Sequence, residues 1–134
     1  MTLVDTNVLL DLVTNDEVWA QWSMEQLEAA SMEGPLLIND IVYAELSVRY
    51  DRIEALDGFV AEAGFQMAPM PRAALFLAAK AYSRYRRSGG MRSGVLPDFF
   101  IGAQAAVSAI PLLTRDAGRY ATYFPTVVLI TPDA

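Results

Sequence analysis

The 134-residue chain contains no cysteine and no histidine. The first absence excludes a disulfide framework, a thiolate zinc site and a thiol nucleophile; the second excludes an imidazole base or ligand. Any chemistry must therefore run on carboxylates, hydroxyls, amides, lysine and arginine. Long apolar runs are also missing. The longest uncharged stretch, Phe99 to Thr114, is interrupted by Gly102 and Pro111 and falls short of the ~20 residues that a membrane-spanning helix needs. Met1–Val13 carries Asp5 and Asp11 and no cation, the wrong charge for a secretory leader, so no membrane partner and a cytoplasmic location are expected. The length predicts one domain, 1–134, able to bury a single core without covalent staples.

The net charge of −6 argues against a nucleic-acid partner, because phosphate binding relies on lysine and arginine. Its distribution argues the other way. Residues 1–62 hold 13 acidic and 2 basic side chains, whereas residues 63–97 hold 6 basic and none acidic.

The apolar runs Thr2–Val4, Leu36–Ile38, Ile110–Thr114 and Thr126–Thr131 predict strands, with Phe65–Met70 a weaker one. Between them, helical spacing predicts helices from Thr6-Asn7 to Val13, over Glu17–Glu33, from Asn39 or Asp40 to about Arg49, over Arg52–Ala63, from Pro71 to Arg87 and from Pro97 to about Val107. Non-alternating strands separated by helices indicate an α/β domain with a central, mainly parallel sheet covered by helices on both faces. Such sheets bind ligands beyond the carboxyl ends of their strands, near the point where strand order reverses.

Most of the acidic residues read as solvated helix surface, but four do not. Asp5 ends an apolar strand; capping the next helix is its plain alternative. Glu45 follows Ile41 and Val42 by four and three residues, so it projects from an apolar stripe; a surface pair with Arg49 is the alternative. Asp98 heads the apolar helix Phe99–Ala103, where the helix dipole alone would favour an anion. Asp116 follows the run Ile110–Leu113, where capping a loop would explain it. Taken together, the four acids suggest a site, because a parallel sheet can gather two strand ends and two helix starts at one edge. Two carboxylates ~5 Å apart repel by about 3 kcal/mol at an effective dielectric near 20. A divalent cation removes that repulsion, and all-oxygen ligation suits Mg²⁺ or Mn²⁺. Such ions hydrolyse phosphodiesters without a histidine base.

The cationic segment offers a substrate side. Lys80, Arg84 and Arg87 share one helix face, with Leu75, Ala79 and Tyr82 expected on the core side, and Arg86 and Arg92 flank a Ser88-Gly89-Gly90 tip expected to be mobile. These five are the candidate RNA-binding residues; an ordinary solvated face is the alternative.

Asp5-Thr6-Asn7 after the first strand, the isolated Glu45, Leu96–Ala103, and Leu113-Thr114-Arg115-Asp116 ahead of Tyr120–Pro125 resemble, along the whole chain, the PIN-domain family, and within it the VapC-type toxins of toxin–antitoxin pairs. The resemblance implies a PIN-like three-layer domain, its sheet of about five parallel strands flanked by helices, and Mg²⁺- or Mn²⁺-dependent endoribonuclease activity on RNA. It also implies homodimerisation and inhibition by a cognate antitoxin. Asp5, Glu45, Asp98 and Asp116 would be the catalytic, metal-binding acids, supported by Thr6, Asn7 and Thr114. Relatives often carry histidine where this chain has Gln104. The apolar share of 54% fits extra surface for a dimer or antitoxin, with Trp19 and Trp22 as candidates, although core packing of one tryptophan is an equally good account.

Two other phosphate-handling classes fit less well. A haloacid dehalogenase-like phosphatase would need an acid at Asn7, and a phospho-receiver domain lacks its early acidic pair here. The rival that survives is a non-catalytic RNA- or protein-binding PIN-like module.

Overall fold

A computed structural model describes residues 1–132 of the chain. Five strands form one wholly parallel sheet: β1 (Thr2–Val4), β2 (Leu36–Ile38), β3 (Phe65–Met67), β4 (Leu112–Leu113) and β5 (Leu129–Ile130), in the order β3-β2-β1-β4-β5. Leu3 at the centre is paired with Leu37 of β2 on one side and Leu112 of β4 on the other. Every residue of β1 and β2 is buried, so both sheet faces are covered, and this is why these strands read as continuous apolar runs.

After β1 the chain builds outward through β2 and β3, then returns across β1 to add β4 and β5. Strand order therefore reverses between β1 and β4. Asp5 follows β1, and Thr114-Arg115-Asp116 follows β4, so both segments open onto the crevice where ligands bind in sheets of this kind.

The helices among the described residues are α1 (Thr6–Thr14), α2 (Ala20–Glu33), α3 (Asp40–Ser47), α4 (Ile53–Glu62), α5 (Arg72–Arg87), α6 (Leu96–Ser108) and α7 (Gly118–Tyr123). Asp5 caps α1, its carboxylate accepting from the Thr6 amide at 2.7 Å. Asn39 caps α3, accepting from the Val42 amide at 2.9 Å. Helix α2 starts at Ala20 rather than Glu17, because the Asp16 carboxylate accepts from the Val18 and Trp19 amides, both at 2.9 Å, and closes a turn there.

Helix α5 corrects the expected core face. Its buried residues are Ala74, Ala78 and Ala81, whereas Leu75 and Ala79 are exposed. Small side chains let α5 lie close against α6, and the larger Tyr82 and Tyr85 pack against Phe99 of α6. Gly102 serves a related purpose on α6: a Cβ there would run into the Phe124 ring, so glycine is what lets Phe124 seat on the helix. Helix α7 has no counterpart among the elements expected from the sequence. It is a short six-residue element, opened by the Asp116 carboxylate accepting from the Gly118 amide at 3.1 Å.

Candidate active site at the carboxyl edge of the sheet

Asp5 is 4% exposed, and its carboxylate is satisfied at both oxygens. Oδ1 accepts from the Thr6 amide at 2.7 Å, while Oδ2 accepts from the Thr114 hydroxyl at 2.8 Å and the Tyr120 hydroxyl at 2.9 Å. The capping alternative and the site reading thus use the same side chain. Burial pushes the carboxyl up to about 6, against the pull of the two hydroxyls, and the charge of Asp98 adds to the rise.

Glu45 does not pair with Arg49. It reaches back across the sheet edge to accept from the Thr6 hydroxyl at 2.6 Å, so Thr6 links two of the acids, through its amide and through its side chain. Half-burial raises the Glu45 carboxyl, Thr6 lowers it, and Asp98 raises it again. Asp98, in the first turn of α6, is held by Arg119 of α7 at 2.9 Å. Its carboxyl is raised even so: burial outweighs Arg119, Asp116 adds repulsion, and Arg92 eases it. Tyr120 is buried, and its hydroxyl is held well above the usual tyrosine range by burial and by the charges of Asp5, Asp98 and Glu45.

Asp5, Glu45 and Asp98 therefore share one electrostatic environment. Asp116 is exposed and joins it only through its field on Asp98. Among the described residues, no three acids stand close enough to share a metal ion as they are arranged. Asp98 is turned to Arg119 and Glu45 to Thr6. The chemistry of the donor set nevertheless fits a hard divalent cation. It is oxygen only, and three of the acids are raised by burial that neighbouring cations leave uncompensated. Arg119 is itself incompletely used, its buried Nε having no hydrogen-bond partner.

The supporting residues are present at the edge. Asn7 donates from Nδ2 to the Thr114 hydroxyl at 3.3 Å and accepts from the Arg115 amide at 3.3 Å. Gln104 lies elsewhere, as a buried bridge. It accepts from Asn39 at 2.9 Å and donates to the Pro69 carbonyl at 3.2 Å, tying α6 to the ends of β2 and β3.

Of the basic residues, Lys80, Arg84 and Arg87 line one concavity on α5, as their spacing predicts. Lys80, Arg84, Arg86, Arg87 and Arg92 are all exposed. Lys80 lies over the Phe76 ring at 4.9 Å and Arg84 near the Tyr123 ring at 6.0 Å, while Arg92 is the one whose charge is felt at Asp98. The glycine tip is tied down, since a Cβ at Gly90 would strike the Tyr85 ring and the Tyr85 hydroxyl accepts from the Arg92 amide at 3.2 Å. Tyr82 and Tyr85 pack with Phe99, at 5.5 and 5.4 Å between ring centres. Trp19 and Trp22 pack edge to face at 5.9 Å, with Trp22 against the core.

A concavity of about 630 Å³ opens at the opposite edge of the sheet, around Met1, Ile110, Pro111 and Ile130, away from the four acids. Beside Asp98, Arg119 and Tyr120 there is only a narrow crevice. The candidate site is assigned by its chemistry, the gathering of Asp5, Glu45 and Asp98 in one electrostatic environment at the carboxyl edge of the sheet. Sequence reasoning misses Asp11, Arg115, Arg119 and Tyr120; only the run Thr114–Tyr120 after β4 hints that polar residues gather there.

Comparison with known proteins agrees with this architecture. Chains of similar fold occur in VapBC2 from Rickettsia felis bound to a DNA fragment from their promoter (16% identity, 98% of each chain covered, TM-score 0.74). They occur also in FitAcB from Neisseria gonorrhoeae (19% identity, 97% and 96% covered, TM-score 0.70) and in a toxin–antitoxin complex from Klebsiella pneumoniae (24% identity, 96% of each chain, TM-score 0.68). At these identities the likeness is one of fold. No curated protein sequence matches the chain. The PIN domain family model matches residues 2–125, and the chain belongs to the PIN-domain family.

Proposed function

We propose that this chain is a Mg²⁺- or Mn²⁺-dependent endoribonuclease, the toxin of a toxin–antitoxin pair. In this reading it is a single domain over 1–134 that works as a cytoplasmic homodimer, restrained by a cognate antitoxin. The observation that carries the reading is the shared environment of Asp5, Glu45 and Asp98 at the β1–β4 crevice, with carboxyls raised by burial, in a member of the PIN-domain family. Fold likeness to a chain of a toxin–antitoxin complex supports the biological role.

Asp5, Glu45, Asp98 and Asp116 would hold the ion. When bound, the divalent cation activates water and offsets the charge of an in-line phosphodiester displacement. The chain's own contribution is orientation. Thr114 and Tyr120 fix Oδ2 of Asp5, Thr6 fixes Glu45, and Arg119 holds Asp98. Arg92 would bring a backbone phosphate towards Asp98, with Lys80, Arg84, Arg86 and Arg87 binding the RNA farther out.

The test is cleavage of a panel of structured RNAs by purified protein free of antitoxin. Cleavage is expected with Mg²⁺ or Mn²⁺ and should stop with EDTA. Asp5→Asn and Asp98→Asn should each lower it by at least about 100-fold, the upper end of what removing an outer partner of a metal ligand costs. Activity that survives both substitutions would sink the site assignment. The Asp98–Arg119 pair and the spacing of the acids favour one other reading, a non-catalytic RNA- or protein-binding PIN-like module. Binding without cleavage across the panel would select it.

A further inference from the structure

A second charged cluster lies beside the site and none of the roles above uses it. Arg115, between Thr114 and Asp116, makes two bonds to the carboxylate of Asp11 on α1: Nε to Oδ2 at 2.7 Å and Nη2 to Oδ1 at 2.9 Å. Asp11 is 2% exposed, and its Oδ2 also accepts from the buried Ser23 hydroxyl of α2 at 2.7 Å. The guanidinium lies over the Trp19 ring at 5.1 Å. A planar, bidentate pair of this kind fixes direction as well as distance, which a lysine could not do.

The ladder it belongs to leads into the site. Asn7 and Asp11 are four residues apart on α1 and so present their side chains on the same face. Asn7 holds the Arg115 amide and the Thr114 hydroxyl, and Asp11 holds the Arg115 side chain. The Thr114 hydroxyl in turn donates to Asp5 and accepts from the Asp116 amide at 3.1 Å. The segment carrying Thr114 and Asp116 is thus gripped twice from α1, the helix that Asp5 caps.

We propose that the Asp11–Arg115 pair is a positioning device that fixes Thr114 and Asp116 relative to Asp5, and so sets how tightly the acidic site holds a divalent cation. The inference rests on the reading of the four acids as a metal site. It assigns Asp11 and Arg115 no contact with metal or substrate. Their effect is exerted through the 114–116 segment, as outer partners of metal ligands act by orienting them.

The test replaces the pair as a pair, because removing one partner would strand a buried charge, whereas apolar replacement of both often leaves stability intact. Mn²⁺ binding to the full chain is measured by calorimetry, and folding by thermal melting in EDTA, for the parent, Asp11→Leu/Arg115→Met and Arg115→Lys. The double variant should still fold, melting below the parent because the buried Ser23 hydroxyl loses its acceptor, and bind Mn²⁺ about 10- to 100-fold more weakly. Arg115→Lys, which keeps the charge but not the bidentate geometry, should also bind more weakly. Mn²⁺ affinity equal to the parent's in Arg115→Lys, or in a folded double variant, overturns the positioning role and leaves the pair a plain stabilising interaction. Should the double variant not fold, Arg115→Lys decides alone. A parent that binds no Mn²⁺ fails the reading of the site itself, a result distinct from equal binding by parent and variant.

Discussion

Asp5→Asn offers a direct measure of how poorly the metal-free fold accommodates its acids. In an open chain the carboxyl titrates at 3.8, and in the fold at about 6. Because the folded value is raised, protonation favours the fold. Stability from this group is complete below the open-chain value and is lost as pH rises through about 6. At pH 8 the gap corresponds to roughly 3 kcal/mol, with little solvent discount for a side chain that is 4% exposed. Asparagine removes the ionisation but offers one acceptor oxygen where Asp5 uses two, at the Thr6 amide and at the Thr114 and Tyr120 hydroxyls. One displaced hydrogen bond costs about 1 kcal/mol, leaving the variant roughly 2 kcal/mol more stable at pH 8. At pH 5, still above the isoelectric point near 4.5, the advantage should shrink below about 1 kcal/mol. Urea unfolding of parent and variant in EDTA at both pH values measures this. Glu45 and Asp98 are raised too, so the parent's own pH dependence mixes several groups and only the difference between the proteins isolates Asp5. With Mn²⁺ added, the order should reverse, the parent gaining stability and the variant not. A variant no more stable than the parent at pH 8, or a gap that ignores pH, would refute the reasoning.

Two further outcomes follow from the packing and the charge. Gly102→Ala should destabilise the chain by about 1–3 kcal/mol, since the methyl must displace the Phe124 ring; chemical denaturation checks it, and an unchanged midpoint would show that Phe124 can move freely. Replacing Arg84 and Arg87 with glutamine should weaken RNA binding and reduce the slope of log affinity against log salt by about 1 for each phosphate no longer neutralised, leaving Mn²⁺ binding intact; an unchanged slope in filter binding would return both residues to an ordinary solvated face.

Local chemistry makes much of the architecture legible. Uninterrupted apolar runs such as Leu36–Ile38 mark strands covered on both faces, and Asn39 and Pro71 mark where helices begin, because these signals act within a few residues. Helix α7 escapes because six residues carry no periodicity, and the buried face of α5 lies one position from the expected one because its stripe is alanine rather than leucine.

The residue types alone limit the kind of chemistry open to this protein. Without histidine or cysteine any metal site would rest on oxygen donors, and Asp5 and Asp116 had to fall beyond strand ends because the apolar runs stop there. Which groups meet follows from how the elements are laid together in the fold. Thr6 reaches Glu45 across 39 residues, Thr114 reaches Asp5 across 109, and Arg115 reaches Asp11 across 104. Periodicity records which face of an element is buried, whereas such polar contacts depend on where β4 is laid beside β1, a pairing that no local pattern encodes.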